Sequence, residues 1–504
     1  MENQNLHYQS TRGDKKRVLS AEAIIKGIAD DGGLFVPETI PRVDKDIYKL
    51  KSINYKELAF LIMRRFFTDY HQDELKDCIN RAYNNKFDTE IIAPLSKKMG
   101  AYFLELYHGP TLAFKDMALS LLPHLLKKAA QKLNLKQEIV ILTATSGDTG
   151  KAALEGFADV PGTKIIVFFP QEGVSEIQKR QMLTQKGKNT YVIGIRGNFD
   201  DAQRGVKEIF EDPIFNEKME EKNYIFSSAN SINIGRLIPQ IVYYFYAYLS
   251  MLESGETKVG EKINIAVPTG NFGNILAAYY AKSMGLPLHK LICASNENKV
   301  LANFLATGFY DKRRELVRTI SPSMDILVSS NLERLLWDIS EGKTEQVSEL
   351  MNSLDKEGFY QITPDMKNKL EGFSGGFARE KEARYSIKEV FQESGYLIDP
   401  HTAVGYVVYK KYANETKDKT KTVIVATASP FKFTKSVMES IDSRYKKFDD
   451  FELIEKISDL AQIPIPPGIR GIKKKPIRHK IVCEKEEMRA KIAEILTYRK
   501  EKSV

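Results

Sequence analysis

Cysteine is scarce in this sequence: Cys78, Cys293 and Cys483 are the three among 504 residues, and they lie far apart. So sparse a set builds no disulfide framework and no zinc spacing, and it fits a reducing cytoplasm. Histidine is sparse as well. The seven present show no HExxH or other paired ligand spacing, so no protein metal site is expected. The apolar stretch 237–252 contains Pro239 and Gln240 and falls short of the ~20 residues a membrane span needs; it reads as a buried helix. Residues 2–16, ENQNLHYQSTRGDKK, hold no apolar run, so neither a signal peptide nor a transit peptide is expected. Internal repeats and low-complexity tracts are also missing.

Charge of one sign is only mildly in excess, with 75 Lys and Arg against 66 Asp and Glu, a net +9. One local concentration exists: Arg470, Lys473, Lys474, Lys475, Arg478, His479 and Lys480. No aromatic residue interleaves it, so the stacking platforms of single-strand binders are lacking. It reads as solvated surface or a neighbour-domain contact. No nucleic-acid partner is expected, and binding through 470–480 stands as the remote alternative. A general positive field suits an anionic substrate.

What is present is material for a large folded chain. A length of 504 residues allows two or three domains of roughly 100–200 residues, and 42% hydrophobic content can bury a sizeable core. Residues 55–67 (YKELAFLIMRRFF) are apolar at helical spacing and predict a helix. Continuous apolar runs then recur at 139–142, 164–169, 191–195, 263–267, 291–294 and 422–426, with helix-like segments between most of them. Such runs predict a parallel sheet covered on both faces, and their spread predicts more than one sheet. The class is α/β. Residues 1–98 read as an N-terminal domain, 99–440 as the core with a smaller sheet subdomain at about 135–225, and 441–504 as a C-terminal extension. In that extension Pro464, Pro466, Pro467, Gly468 and Pro476 mark 462–480 as an extended connector. Met488, Ile492, Ile495 and Leu496 then recur at helical spacing.

In open α/β sheets ligands bind at the carboxyl ends of strands, and four strand-end or helix-start loops stand out. TATSGDTG (143–150) follows an apolar strand and precedes a helix, a candidate cradle for an anion. It is not a Walker A loop, because Thr145 and Ala152 occupy positions that motif gives to Gly and Ser/Thr. PTGNFGN (268–274) has the same placement, its Gly270 and Gly273 allowing close approach and Asn271 and Asn274 adding donors. An ordinary helix entry with an Asn cap is the plain alternative. In HGPTLAFKDMA (108–118), Lys115 sits among Leu112, Ala113, Phe114 and Met117. A lysine is ordinarily solvated; a desolvated one has a lowered pKa and becomes a Schiff-base former. ATASPFKF (426–433) leaves the last strand, with a hydroxyl at Thr427 and a cation at Lys432.

HGPTLAFKD, TATSGDTG, SANSIN (228–233), TGNFGN, DPHTAVGY (399–406) and TASPFKF, with DDGGLFVPE at 30–38, occur in this order. In order and approximate spacing they resemble the threonine synthase family. The resemblance implies a fold type II pyridoxal-phosphate (PLP) enzyme: two open twisted, mostly parallel sheets flanked by helices, with an N-terminal helical region and a C-terminal extension. It further implies that O-phospho-L-homoserine and water become L-threonine and phosphate by γ-elimination and β-addition, in a cytoplasmic monomer or homodimer. Lys115 would carry the cofactor and act as the base. Gly270, Asn271, Phe272, Gly273 and Asn274 would bind its phosphate, Thr427 would face its ring nitrogen, and Asp148 would stand near its phenolic oxygen. Thr145, Ser146, Gly147 and Thr149 would hold the substrate carboxylate. Candidates for the substrate phosphate are Arg180, Asn233, Arg236 and Lys432. The chain departs from many relatives at Ser429, where they carry histidine. A sister PLP lyase or β-replacing synthase shares the lysine and the glycine loop and is the nearer alternative.

Overall fold

A computed structural model of the chain describes residues 5–50, 52–145, 147–172 and 174–497. The chain begins with β1 (Tyr8–Ser10), paired antiparallel with β2 (Phe35–Pro37). Beside them the helices Ser20–Lys26, Tyr55–Met63 and Gln72–Ala82 bury their apolar faces. The helix expected over 55–67 starts where Asn54 caps it, accepting from the Glu57 N–H at 3.0 Å. It stops at Met63 because the next turn is needed elsewhere. Phe66 and Phe67 are buried, and the Phe66 carbonyl accepts the Tyr8 hydroxyl at 2.9 Å.

The hairpin of β3 (Leu95–Lys98) and β4 (Ala101–Glu105) enters the larger sheet. The chain then leaves it to lay down β5 (Glu138–Ala144), β6 (Thr163–Pro170), β7 (Thr190–Arg196) and β8 (Tyr224–Ser228), with helices between successive strands. It returns through the helix Ile234–Glu253, which is buried over most of its surface as residues 237–252 predict. Next come β9 (Ile263–Pro268), β10 (Leu288–Ser295), and a short antiparallel pair of β11 (Phe309–Asp311) with β12 (Phe359–Gln361). β13 (Phe373–Phe377) and β14 (Thr422–Ala426) complete the larger sheet, in the order β13-β10-β9-β14-β4-β3. All its pairs are parallel except β3–β4. β15 (Ile481–Glu484) crosses back to the smaller sheet, whose order β15-β7-β6-β5-β8 is parallel throughout.

All six apolar runs are strands of these two sheets. β13 escapes a hydrophobic reading for a packing reason. A side chain on Gly376 would meet Val408 at 2.6 Å, and one on Gly375 would meet the Ala302 carbonyl at 3.0 Å. Helices press on both faces of this strand so closely that glycine is what fits. The segment 462–480 is more turned than extended, with a 3₁₀ turn at Ile472–Lys474. Beyond β15, the helix Met488–Thr497 buries Met488, Ile492 and Leu496 together with Val140, Ile193 and Cys483 of the smaller sheet. Among the described residues no helix is long and apolar enough to cross a membrane.

Candidate active site

The carboxyl ends of β5, β8, β9 and β14 open into one cleft, so loops from both sheets line it. The Lys115 loop closes it from a third side. That loop runs antiparallel to the exit of β14: the Phe114 N–H donates to the Thr427 carbonyl at 2.8 Å and the Ser429 N–H to the Leu112 carbonyl at 3.0 Å. Leu112 is held at φ 63°, a left-handed conformation unusual for leucine. Asp116 fastens the turn, its carboxylate accepting from the Thr111 N–H at 2.8 Å and hydroxyl at 2.6 Å. Burial pushes Asp116 up to about 6, despite the hydrogen bonds from Thr111. Lys115 and Thr427 therefore face the same cleft because the backbone segments that carry them are hydrogen-bonded to each other.

The first residue of this motif, His108, is clamped between two carboxylates, Asp88 at 2.6 Å and Glu105 at 2.9 Å. Burial alone would lower its pKa, but the two partners raise it to about 9. Its charged form is favoured by the fold, so this stabilisation is complete below about pH 6.5, the unfolded value, and is lost as pH rises toward 9. The expected contribution is on the order of 3 kcal/mol. The thermal midpoint should fall between pH 6.5 and 9 in the native chain and stay flatter in His108→Gln; parallel curves would refute this.

Lys115 is 9% exposed. Its Nζ lies 3.6 Å from Asp148 Oδ2 and 3.4 Å from Ser323 Oγ. Burial, together with the cations Lys432 and Arg236, lowers its pKa to about 8 against the opposing pull of Asp148. Asp148 starts the helix Asp148–Phe157 and is surrounded by donors. Lys432 reaches its Oδ1 at 2.6 Å and Gln178 donates there at 2.7 Å, while the Ser323 hydroxyl donates to Oδ2 at 3.3 Å. Burial would raise its pKa; Lys432 and Lys115 override this and hold it far below the usual carboxylate range.

On the β9 side, Phe272 sits at φ 62° before the helix Gly273–Ser283, and no side chain caps that helix. Its first N–H groups have no intrahelical acceptor. A Cβ on Gly270 would stand 2.5 Å from the Ser323 carbonyl, so this loop tolerates no side chain there. Asn331 braces it by donating twice to the Asn271 carbonyl, at 2.9 and 3.2 Å. Asn274 accepts from Tyr243 and Tyr244 through Oδ1, yet its Nδ2 is buried without a partner. Arg236 Nη1 donates to the Ala229 carbonyl at 2.9 Å, and its Nε is likewise buried without a partner. Orphaned donors, a bare helix N-terminus and a nearby cation describe a site for an anion.

Comparisons with known proteins agree with this geometry. Family models match in order along the chain: Threonine synthase N terminus over 7–83, Pyridoxal-phosphate dependent enzyme over 88–359, and Threonine synthase, C-terminal over 402–490. The threonine synthase of Saccharomyces cerevisiae is 36% identical, over 92% of this chain and 95% of its own. The chain belongs to the threonine synthase family. The human protein Threonine synthase-like 1 is 41% identical over 84% of this chain, which spans 58% of that relative's length. The crystal structure of PLP-bound threonine synthase from Brucella melitensis superposes with a TM-score of 0.83 at 33% identity, covering 98% of this chain and 99% of that one.

Residues 88–359, more than half of the chain, match the Pyridoxal-phosphate dependent enzyme family, and the residues of the cleft fit that cofactor. The uncapped turn at Gly273 and Asn274, with the spare Asn274 Nδ2, suits the cofactor phosphate; Lys115 suits its carbonyl carbon; Thr427 brings a hydroxyl to the cleft. Of the expected residues, Lys115, Thr145, Thr149, Arg236, Gly270, Asn271, Phe272, Gly273, Asn274 and Thr427 line the cleft. Asp148 lies behind Lys115 and Ser323 and touches both. Ser146 lies outside the described residues.

Others are occupied elsewhere. Arg180 faces the C-terminal segment, donating to the carbonyls of Ile472 at 3.3 Å, Lys473 at 2.7 Å and Lys475 at 2.8 Å. Asn233 caps the helix Ile234–Glu253 and donates to the carbonyls of Ile24 and Ser228, so both its side-chain N–H donors are spent. The Gly147 N–H turns inward to Thr145 Oγ1, which also accepts from Gly150. Lys432 is fully buried on Asp148 and the Thr111 carbonyl. Ser323 and His401 are among the cleft residues to which the sequence motifs assign no role. His401 accepts the Ser323 N–H on Nε2 and therefore carries its proton on Nδ1, 2.6 Å from Asp399. The spacing DPH, an N-cap Asp two residues before a histidine, is the signal that marks it.

Proposed function

We propose that this chain converts O-phospho-L-homoserine and water to L-threonine and phosphate, with Lys115 as its nucleophile and base. The observation that carries the reading is a buried lysine of lowered pKa sharing one cleft with an uncapped helix N-terminus and a buried, partly unpartnered arginine. A lysine titrating near 8 is a free amine to roughly one part in ten at pH 7, against fewer than about one in a thousand for an ordinary lysine, and attack on a carbonyl and proton abstraction both need that form. When bound, pyridoxal phosphate supplies an electron sink conjugated to the substrate Cα.

The chain's own groups supply the rest. Residues 270–274 and Asn274 Nδ2 would hold the cofactor phosphate, and the Thr427 hydroxyl would serve its ring nitrogen. Lys115 takes the proton from the substrate Cα and then moves protons at Cβ. The Cγ–O bond then breaks with its electron pair leaving on phosphate, a proton is added at Cγ, the oxygen of water attaches at Cβ as that water gives up a proton, and Cα regains a proton from Lys115. Thr145 and Thr149 border the position of the substrate carboxylate. Arg236 is the cleft cation available to the substrate phosphate, whereas Lys432 and Arg180 are committed elsewhere. Phe114, Phe272 and Met324 line the cleft with apolar surface that limits access of bulk water. Three buried, unbonded cysteines agree with a reducing cytoplasm. The working unit is a monomer or homodimer, with no nucleic-acid partner.

The test is to supply PLP and O-phospho-L-homoserine and follow phosphate and threonine together. One-to-one release is expected. Turnover of L-serine or free L-threonine in place of the phosphorylated substrate would reassign the chain to a sister lyase or synthase, and failure to bind PLP would overturn the reading.

A further inference from the structure

Asp148 is shared unequally by two lysines. Lys432 reaches Oδ1 at 2.6 Å, is fully buried, and also donates to the Thr111 carbonyl at 2.8 Å. Gln178 donates to the same oxygen at 2.7 Å. Lys115 stands 3.6 Å from Oδ2 and shares that oxygen with the Ser323 hydroxyl at 3.3 Å. The close contacts of the carboxylate are thus taken by groups that do not line the cleft, and the cleft lysine is left with the loose one.

That division has a chemical consequence. Opposite charges interact strongly at buried sites, and the interaction weakens with distance and with competing partners. A lysine with Asp148 to itself would be held as an ammonium, which neither attacks a carbonyl nor abstracts a proton. Here a second cation neutralises the carboxylate first. We propose that Lys432 is a positioning residue: by occupying Asp148 it withholds that carboxylate from Lys115 and leaves the Lys115 amine free. The proposal rests on the reading of Lys115 given above. Other charged groups around Lys115 work in the same direction or are already paired. Arg236, on the helix Ile234–Glu253, disfavours a second cation, while His401 is paired with Asp399 and Asp325 accepts from Thr319 and Asn296.

The test reads Lys115 itself. Full-length chain freed of cofactor is mixed with PLP at pH 6 to 10 and trapped with borohydride, and the rate of Lys115 labelling is measured by peptide mass spectrometry. The native midpoint is expected near pH 8. Lys432→Met should raise it by about one pH unit and slow labelling at pH 7 by about tenfold. Lys432→Arg, which keeps a cation, should recover most of the rate. The double variant Lys432→Met with Asp148→Asn should bring the midpoint back down, since burial and Arg236 then act without an opposing carboxylate. A merely structural role for Lys432 would not produce that reversal. If Lys432→Met fails to fold, Asp148→Asn alone carries the test and should lower the native midpoint. Equal midpoints in the native and Lys432→Met chains, a double variant that stays raised, or an unmoved Asp148→Asn midpoint would overturn the proposal alone. No labelling of native Lys115 at any pH would overturn the functional reading, and the proposal with it.

Discussion

Lys115→Ala is expected to lower kcat/KM for threonine formation by about 1,000-fold or more and to leave the fold intact. The two halves of this expectation have separate grounds. The chemical half follows from the two tasks assigned to one amine, bond formation to the cofactor and proton transfer at Cα and Cβ. The structural half follows from how loosely the side chain is held, with polar contacts of 3.4 and 3.6 Å. Its removal spares the loop, which is fastened by Asp116 on Thr111 and by the backbone bonds to Thr427 and Leu112. Deleting a buried cation even relieves a desolvation cost. Phosphate and threonine assays on a variant of native circular dichroism check this. Activity within tenfold of native would remove Lys115 from its assigned role.

The largest stability effect is expected at Arg334, which is fully buried. Its guanidinium donates to the Phe35 carbonyl at 2.9 Å, to Asn331 Oδ1 at 2.5 Å and to the Ile232 carbonyl at 2.5 Å. It therefore ties three remote segments together: the 30–38 motif, the 228–233 motif, and the residue that braces Asn271. Arg334→Ala takes this donor from the buried Phe35 carbonyl and the partly buried Ile232 carbonyl and opens a cavity of arginine size. A loss of about 3–5 kcal/mol is expected, by the orphaning of buried polar groups and the loss of packing together. Asn331 would lose its anchor and loosen its grip on Asn271, so PLP affinity should fall about tenfold, or ~1.4 kcal/mol. Denaturant titration and cofactor titration measure the two effects. A variant as stable as the native chain would show that these hydrogen bonds are replaceable.

The sequence announces some of this site and conceals the rest for identifiable reasons. Lys115, Gly270, Asn274 and Thr427 are legible because each lies where an apolar run ends or a helix starts, and strand-end loops are where α/β sheets bind ligands. Arg180 and Asn233 look equally chemical in the sequence, but their hydrogen bonds close on backbone carbonyls that only the tertiary fold brings near. Ser323 has no local signal at all. It sits in the 3₁₀ turn Pro322–Met324, between β11 and β12, and it matters because its carbonyl presses on Gly270 and its hydroxyl meets Asp148. Among the strands, β4 and β8 are short and β13 carries glycines where helices crowd it. β4 and β8 have five residues each, and Ser227 and Ser228 cut short the apolar run of β8.

The position of β15 bears on how the chain is made. It is the outer strand of the smaller sheet, beside β7, yet it follows β7 by about 285 residues. At about 5–20 residues per second on a ribosome, β7 waits roughly 15–60 s for its neighbour. During that interval its edge offers unpaired N–H and carbonyl groups beside buried Val192, Ile193 and Ile195, the kind of edge that recruits other strands. Nascent chains and C-terminally shortened products should therefore depend on chaperones far more than the finished protein.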